Sequence, residues 1–437
     1  MKKLLEIIGL VALMLVFFYA VFSTLHNLVK VVVLVGTLFA SGAIIARLTK
    51  SSSYYGLVVV KGKYGFNLMK SIAKKHPKFV NELSDLGLSL GFGAFYSFYL
   101  FHKTPKKFLV HLLILVIVFG AASFSSVVPI DSLYLQLIGV AFGLAGIGFA
   151  LIALNAFNIL TVPGTPAGVN VVVPGVTVPW EAIFAIALIA IVHETAHGVM
   201  FCVEKLKVKN SGVLLAGFLP IGAFVEPDEK QFAKHRLDGR RRILVAGSAS
   251  NFYSMIVLLP FLIIASIIAS SFVSGILINS VAINSTANGV LFPGDVIVGV
   301  NNVSSTNSGQ LIQELQRAGG PNASILLQLQ DNRQIPVTMN NKGKLGIEIS
   351  NNVAPQNSVF YTIAAFFASV LNWSVLLSLA LSMINLLPLF ITDGHHLVNG
   401  ELSRLFPKNP KLAKGITTAL ALIILLLLLI NAIPHFA

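Results

Sequence analysis

The sequence predicts a polytopic α-helical membrane protein of about nine spans, with one small mixed α/β domain inserted between two of them. Three observations carry this. The 437-residue chain is 55% hydrophobic and only 11% charged, against about 25% charged in ordinary soluble domains. Apolar runs long enough to span a bilayer, about 20 residues, recur from end to end. Residues 273–357 instead alternate apolar and polar positions between Gly, Asn and Asp turns.

The composition excludes a soluble enzyme, and a chain this apolar does not stay solvated as a disordered one. The 31 Lys+Arg against 17 Asp+Glu leave a net charge of +14. In a membrane protein such an excess first reports which loops face the cytoplasm, ahead of any nucleic acid. Cys202 is the only cysteine, so neither a disulfide framework nor a cysteine-ligated metal site is available. Any metal chemistry must use His and carboxylates.

The candidate spans, in order, are 5–25, 31–48, 87–101, 108–128, 133–157, 180–203, 243–272, 358–387 and 413–434. The first follows Lys2 and Lys3, lacks a small-residue cleavage site and is closely followed by a second apolar run, so it reads as an anchor and not a cleaved signal. Segment 87–101 is short and Gly-rich, the weakest of the nine. Basic residues set the orientation: the N-terminal pair and the stretches 47–86, 204–242 and 399–414 hold 23 of the 31 Lys+Arg, while 162–179 carries no charge. A nine-span chain with its N-terminus inside places all four basic stretches in the cytoplasm and 162–179 outside. Lys103, Lys106 and Lys107 fall outside and are the exception. Domain boundaries follow: an accessory membrane region 1–130, a membrane core 131–272, the inserted domain 273–357 outside, and further core spans 358–437. Sequons at Asn284, Asn302 and Asn322 agree with an exterior position for the insert.

The strongest chemical signal is His193-Glu194-Thr195-Ala196-His197. Positions i and i+4 share one helix face, so the two imidazoles can meet one zinc ion while Glu194 reaches a water there. The motif lies inside the apolar run 182–203, where an ionisable residue costs about 2.5–3.5 kcal/mol on insertion scales. A structural His/Glu cluster between helices is the bland alternative. Two histidines leave a catalytic zinc one protein ligand short. Asp393 is the first candidate: Pro388 breaks the preceding span and Gly394 allows a turn that aims the carboxylate back at the bundle. His395 and His396 are rival ligands nearer the basic loop. Residues 211–227, apolar but broken by Gly212, Gly217, Pro220, Gly222 and Pro227, read as a re-entrant hairpin dipping toward this site, with an interfacial loop as the alternative.

With these motifs in view, the chain resembles the site-2 protease family of zinc intramembrane proteases. The resemblance rests on His193-Glu194-x-x-His197, on Asn385-x-x-Pro388 leading to Asp393-Gly394, and on Gly247-Ser248-Ala249-Ser250-Asn251, similar to the family's G-x-x-x-N element. It covers about 180–430, and Gly294-Asp295-Val296-Ile297-Val298-Gly299-Val300-Asn301 in the insert looks like a PDZ strand. It implies one catalytic Zn2+ held by His193, His197 and Asp393, Glu194 as general base and acid, and substrate-binding roles for Gly247, Asn251, Asn385 and Pro388. It further implies a multi-pass protein of the cell membrane with its active site near the cytoplasmic side. Its partners are then the lipid bilayer and transmembrane substrates trimmed beforehand, admitted past a PDZ-like domain outside, with no nucleic acid. The Ser-Ala-Ser within G-x-x-x-N departs from members that carry Pro there. A zinc transporter or sensor without protease activity is the alternative, although it has no need of Glu194 beside the first histidine.

Overall fold

A computed structural model describes residues 2–23, 27–121, 133–170, 177–318, 320–341 and 343–435. The elements are α1 (Lys2–Phe22), α2 (Asn27–Thr49), β1 (Ser52–Tyr54), β2 (Leu57–Gly62), α3 (Phe66–Lys75), α4 (Pro77–Phe101), α5 (Pro105–Ala121), α6 (Leu133–Thr161), α7 (Ala182–Val203), β3 (Val208–Ala216), β4 (Leu219–Pro227), α8 (Glu229–Lys234) and α9 (Leu237–Ser270). After these come β5 (Val273–Val281), β6 (Val296–Val300), β7 (Val303–Ser304), α10 (Ser308–Arg317), β8 (Ser324–Leu329), β9 (Gln334–Thr338), β10 (Ile347–Val353), α11 (Ser358–Leu386), α12 (Asp393–Leu405) and α13 (Pro410–Ala432). They form two compact units: Met1–Leu258 with Trp373–Ala437, and Leu259–Asn372.

Among the described residues, seven helices are long and apolar enough to cross a membrane: α1, α2, α6, α7, α9, α11 and α13. Their outer faces expose Leu15, Val257 and Leu429 among many others, apolar surface that a soluble protein does not leave contiguous. The expected span 108–128 corresponds to α5, of which 17 residues are described; residues 122–128 lie outside the described residues.

Two of the nine expected crossings are folded back on themselves. Helix α4 breaks at Gly93 (φ 77°, ψ −169°), and the hydroxyls of Ser89 and Ser97, four residues to either side, are 3.0 Å apart. Residues eight apart in a continuous helix are separated by about 12 Å, so α4 is a hairpin of two half-helices. Both arms meet the start of α9: Asp85 pairs with Arg242 at 2.7 Å, and Tyr99 Oη lies 3.5 Å from Arg241. Segment 87–101 therefore doubles back on itself at Gly93. Helix α6 breaks likewise at Gly143 (φ 68°, ψ −161°), where a Cβ on Gly139 would touch the Ile147 side chain eight residues on. The two breaks pack on each other. A side chain at Gly93 would strike the Ala141 backbone, and one at Gly143 the carbonyls of Leu90 and Gly91. Positive φ and this close approach together require glycine at both.

The larger unit also holds an antiparallel sheet in the order β1-β2-β3-β4. The hairpin expected at 211–227 is β3–β4, beginning at Val208 and turning at Gly217 (φ 60°), whose N–H donates to Gly56 O. Strands β1 and β2 were not expected. They extend the sheet on its β3 side and leave β4 as an edge. The smaller unit is an antiparallel sheet in the order β10-β5-β6-β8-β9, with β7 on β6 and helix α10. Alternation on β8 buries Ile325, Leu327 and Leu329, which join Ile276, Ile278, Ile297 and Leu311 in its core.

Candidate metal centre

Helix α7 carries His193 and His197 one turn apart and buried, each 8% exposed. Their Nε2 atoms are 3.2 Å apart. Asp393 opens α12, where Thr392 caps the helix by accepting from His395 N–H, and Thr392 Oγ1 donates to Leu387 O across the turn. That turn follows Pro388, after α11 has ended at Leu386. A Cβ on Gly394 would strike the Leu386 and Leu387 carbonyls, so the tight return needs glycine there. The result brings Asp393 Oδ2 to 3.1 Å from His197 Nε2 and 3.5 Å from His193 Nε2. His395 and His396 meet edge to face and lie outside this group of three.

The hydrogen bonds behind the rings decide what they present. His197 Nδ1 lies 2.7 Å from Ile243 O. A carbonyl only accepts, so Nδ1 carries a proton, and in the neutral ring Nε2 carries the lone pair. His193 Nδ1 lies 3.0 Å from the amide of Asn251, a fully buried residue whose Oδ1 otherwise has no partner. An asparagine amide is read in either orientation from its hydrogen bonds. Turned so that Oδ1 accepts from Nδ1–H, it satisfies the orphan oxygen and again leaves the lone pair on Nε2. With both Nε2 atoms deprotonated, three electron-rich atoms face one point inside the protein, the arrangement that a bound cation satisfies. Gly247 completes the cradle, since a Cβ there would strike both Nε2 atoms. The donor set of two imidazoles and one carboxylate fits a zinc ion with one position left open.

The remaining expected site residues are placed as follows. Glu194 reaches β4, where its Oε2 accepts from Val225 N–H at 2.9 Å. Asn385 Nδ2 donates to Asp393 Oδ2 at 2.6 Å and lies 3.3 Å from His193 Nε2. Gly247 and Asn251 touch the histidines themselves, and Pro388 is half-buried in the turn that returns Asp393. Two participants were missed from sequence, the Ile243 carbonyl and the Val225 N–H. Both are backbone groups, for which no side-chain pattern exists.

A helical membrane protein that carries an HExxH helix, with a carboxylate delivered to it from a second helix, has the architecture of a membrane metallopeptidase. Residues 181–430, more than half of the chain, match peptidase family M50, the site-2 protease family, and the chain belongs to it. It is similar to an uncharacterized protein of Methanocaldococcus jannaschii, 30% identical over 244 residues, which are 55% of this chain and 62% of that protein.

Proposed function

We propose that the chain is an intramembrane zinc endopeptidase, hydrolysing peptide bonds within or near the transmembrane segments of membrane-protein substrates in regulated intramembrane proteolysis. The observation that carries the reading is the convergence of His193, His197 and Asp393, with Glu194 on the neighbouring face bonded to edge strand β4. His193, His197 and Asp393 would hold the ion, and when bound it supplies Lewis acidity toward water and a carbonyl oxygen.

Glu194 takes the proton of the attacking water and passes it to the leaving amine. Strand β4 holds the substrate as an added strand, supplying hydrogen bonds that an unwound backbone lacks in lipid. Asn385, which touches both Asp393 and His193, orients the substrate beside them. Gly247 and Asn251 we assign to the metal centre, because they contact the imidazoles. The smaller unit acts as a PDZ-like outer domain that admits substrates trimmed beforehand.

The folded-back helices bear on orientation. Lys107 follows α4 and pairs with Asp85 at 2.7 Å, and Asp85 pairs with Arg242. Lys103, Lys106 and Lys107 therefore join the basic loops in the cytoplasm. Removing both 87–101 and 133–157 as crossings preserves the parity of the rest, leaving seven crossings with 162–179 and the insert outside.

Reconstituting the purified chain with a model transmembrane substrate tests the reading. Wild type cleaves and holds one zinc, and Glu194→Gln holds zinc without cleaving. Zinc flux across the vesicle, abolished by His193→Ala, with no cleavage by wild type, would establish the transporter alternative.

A further inference from the structure

Beside the last turn of α7, where α3 meets the start of β3, the structure forms an open cavity of about 620 Å³. Four lysines line it, Lys63, Lys70, Lys207 and Lys209, together with Phe66 and Met69. Among the described residues, the ion pairs engage other cations, such as Lys61, Lys107, Arg236, Arg241 and Arg242, and none of these four lysines has an acid within 4.0 Å. The acids that feel Lys207 and Lys209 are Glu226 and Asp228. Both are engaged elsewhere, Glu226 with Lys61 and Asn210, and Asp228 with the first turn of α8. Four like charges around one concavity concentrate a positive potential that only a mobile or bound anion relieves.

The apolar part of the cavity identifies the kind of anion. Helix α3 is amphipathic, with Met69 and Ala73 buried, Leu68 exposed and Lys70, Lys74 and Lys75 on its polar side. A short basic amphipathic helix that exposes leucine beside a membrane-spanning bundle lies in the lipid interface. We infer that this cavity binds the phosphate headgroup of an anionic phospholipid, the four lysines holding the phosphate and the Phe66–Met69 wall lying against the glycerol and upper acyl carbons. The site abuts the metal-binding helix. Gly198, next to His197, has no room for a Cβ because the Met69 side chain occupies that space. A bound lipid therefore holds α3 against α7.

Native mass spectrometry of the full chain in detergent, titrated with phosphatidylglycerol, phosphatidylcholine or inorganic phosphate, tests the site. One phosphatidylglycerol is expected to be retained in preference to phosphatidylcholine. A lysine at an anionic lipid surface contributes about fivefold in affinity, so Lys70→Gln or Lys207→Gln alone weakens retention by about that factor, and the fourfold Lys→Gln variant by about 100-fold or more. Lys74, Lys75, Lys408 and Lys411 changed together to Gln leave retention unchanged, because they carry similar charge outside the cavity. Phosphatidylglycerol retained equally by the cavity variants, or lost equally in the control variant, overturns the proposal. Inorganic phosphate that displaces the lipid at equal concentration assigns the lysines to a free phosphate and overturns the lipid assignment. Zinc content, read on the same samples, stays at the wild-type value in every lysine variant.

Discussion

Replacing Gly247 with alanine separates a metal site from a packed histidine cluster. Glycine inside a helix costs about 1 kcal/mol relative to alanine, so the substitution in α9 gains that much wherever a methyl fits. Here the methyl would lie on both Nε2 atoms, between buried Ala246 and buried Ser248. Overpacking of this kind costs about 1–3 kcal/mol, so the metal-free protein changes by at most about 2 kcal/mol net. Zinc binding bears the larger loss. Disturbing the groups that orient metal ligands lowers affinity by about 10–100-fold, and a methyl in the ligand plane displaces two ligands together, so at least the upper end is expected. The assay is competition for zinc against a chromophoric chelator, beside thermal unfolding in excess chelator. Gly415→Ala on α13, where a methyl meets nothing within 4 Å, is the matched control and leaves zinc affinity unchanged. Gly247→Ala that binds zinc within about threefold of wild type would refute the convergence of the imidazoles on one ion.

Asn251→Leu lowers zinc affinity by about 10–100-fold, whereas Asn251→Asp, whose carboxylate still accepts from His193 Nδ1–H, stays close to wild type; equal losses would show that Asn251 does not orient the ring. Asp85→Asn breaks a buried pair with Arg242 and costs about 3–5 kcal/mol in thermal or denaturant unfolding, whereas Lys61→Gln, at the exposed pair with Glu226, leaves unfolding nearly unchanged. Similar losses from the two would contradict the burial of the Asp85–Arg242 pair as the source of its larger effect. In a Cys202→Ser background, Lys103→Cys and Lys408→Cys react with an impermeant maleimide from the same face of the membrane; labelling from opposite faces would restore 87–101 as a crossing.

The three candidate ligands were legible because ionisable groups are rare in these spans: His193 and His197 share one helix face by spacing, and Pro388 and Gly394 announce a turn that returns Asp393. The hairpins at Gly93 and Gly143 were not legible. Hydropathy records how apolar a segment is and not which way it runs, so a chain that enters and returns scores as one that crosses. Strands β1 and β2 escaped notice because β2 pairs with β3, about 150 residues later in the chain, and the short run 57–62 carries no partner signal of its own. Asn251 was assigned to the substrate because its motif locates the residue but not its contacts; its approach to His193 exists only after α7 and α9 pack.

The account turns on whether a peptide bond is cut inside the membrane by this centre. Mass spectrometry of the products from a reconstituted substrate answers it most directly. Wild type should yield fragments ending within the substrate's transmembrane segment, lost on chelation and restored by zinc, while Glu194→Gln retains zinc and yields none. Fragments that persist in Glu194→Gln, or cuts confined to water-exposed parts of the substrate, would contradict it.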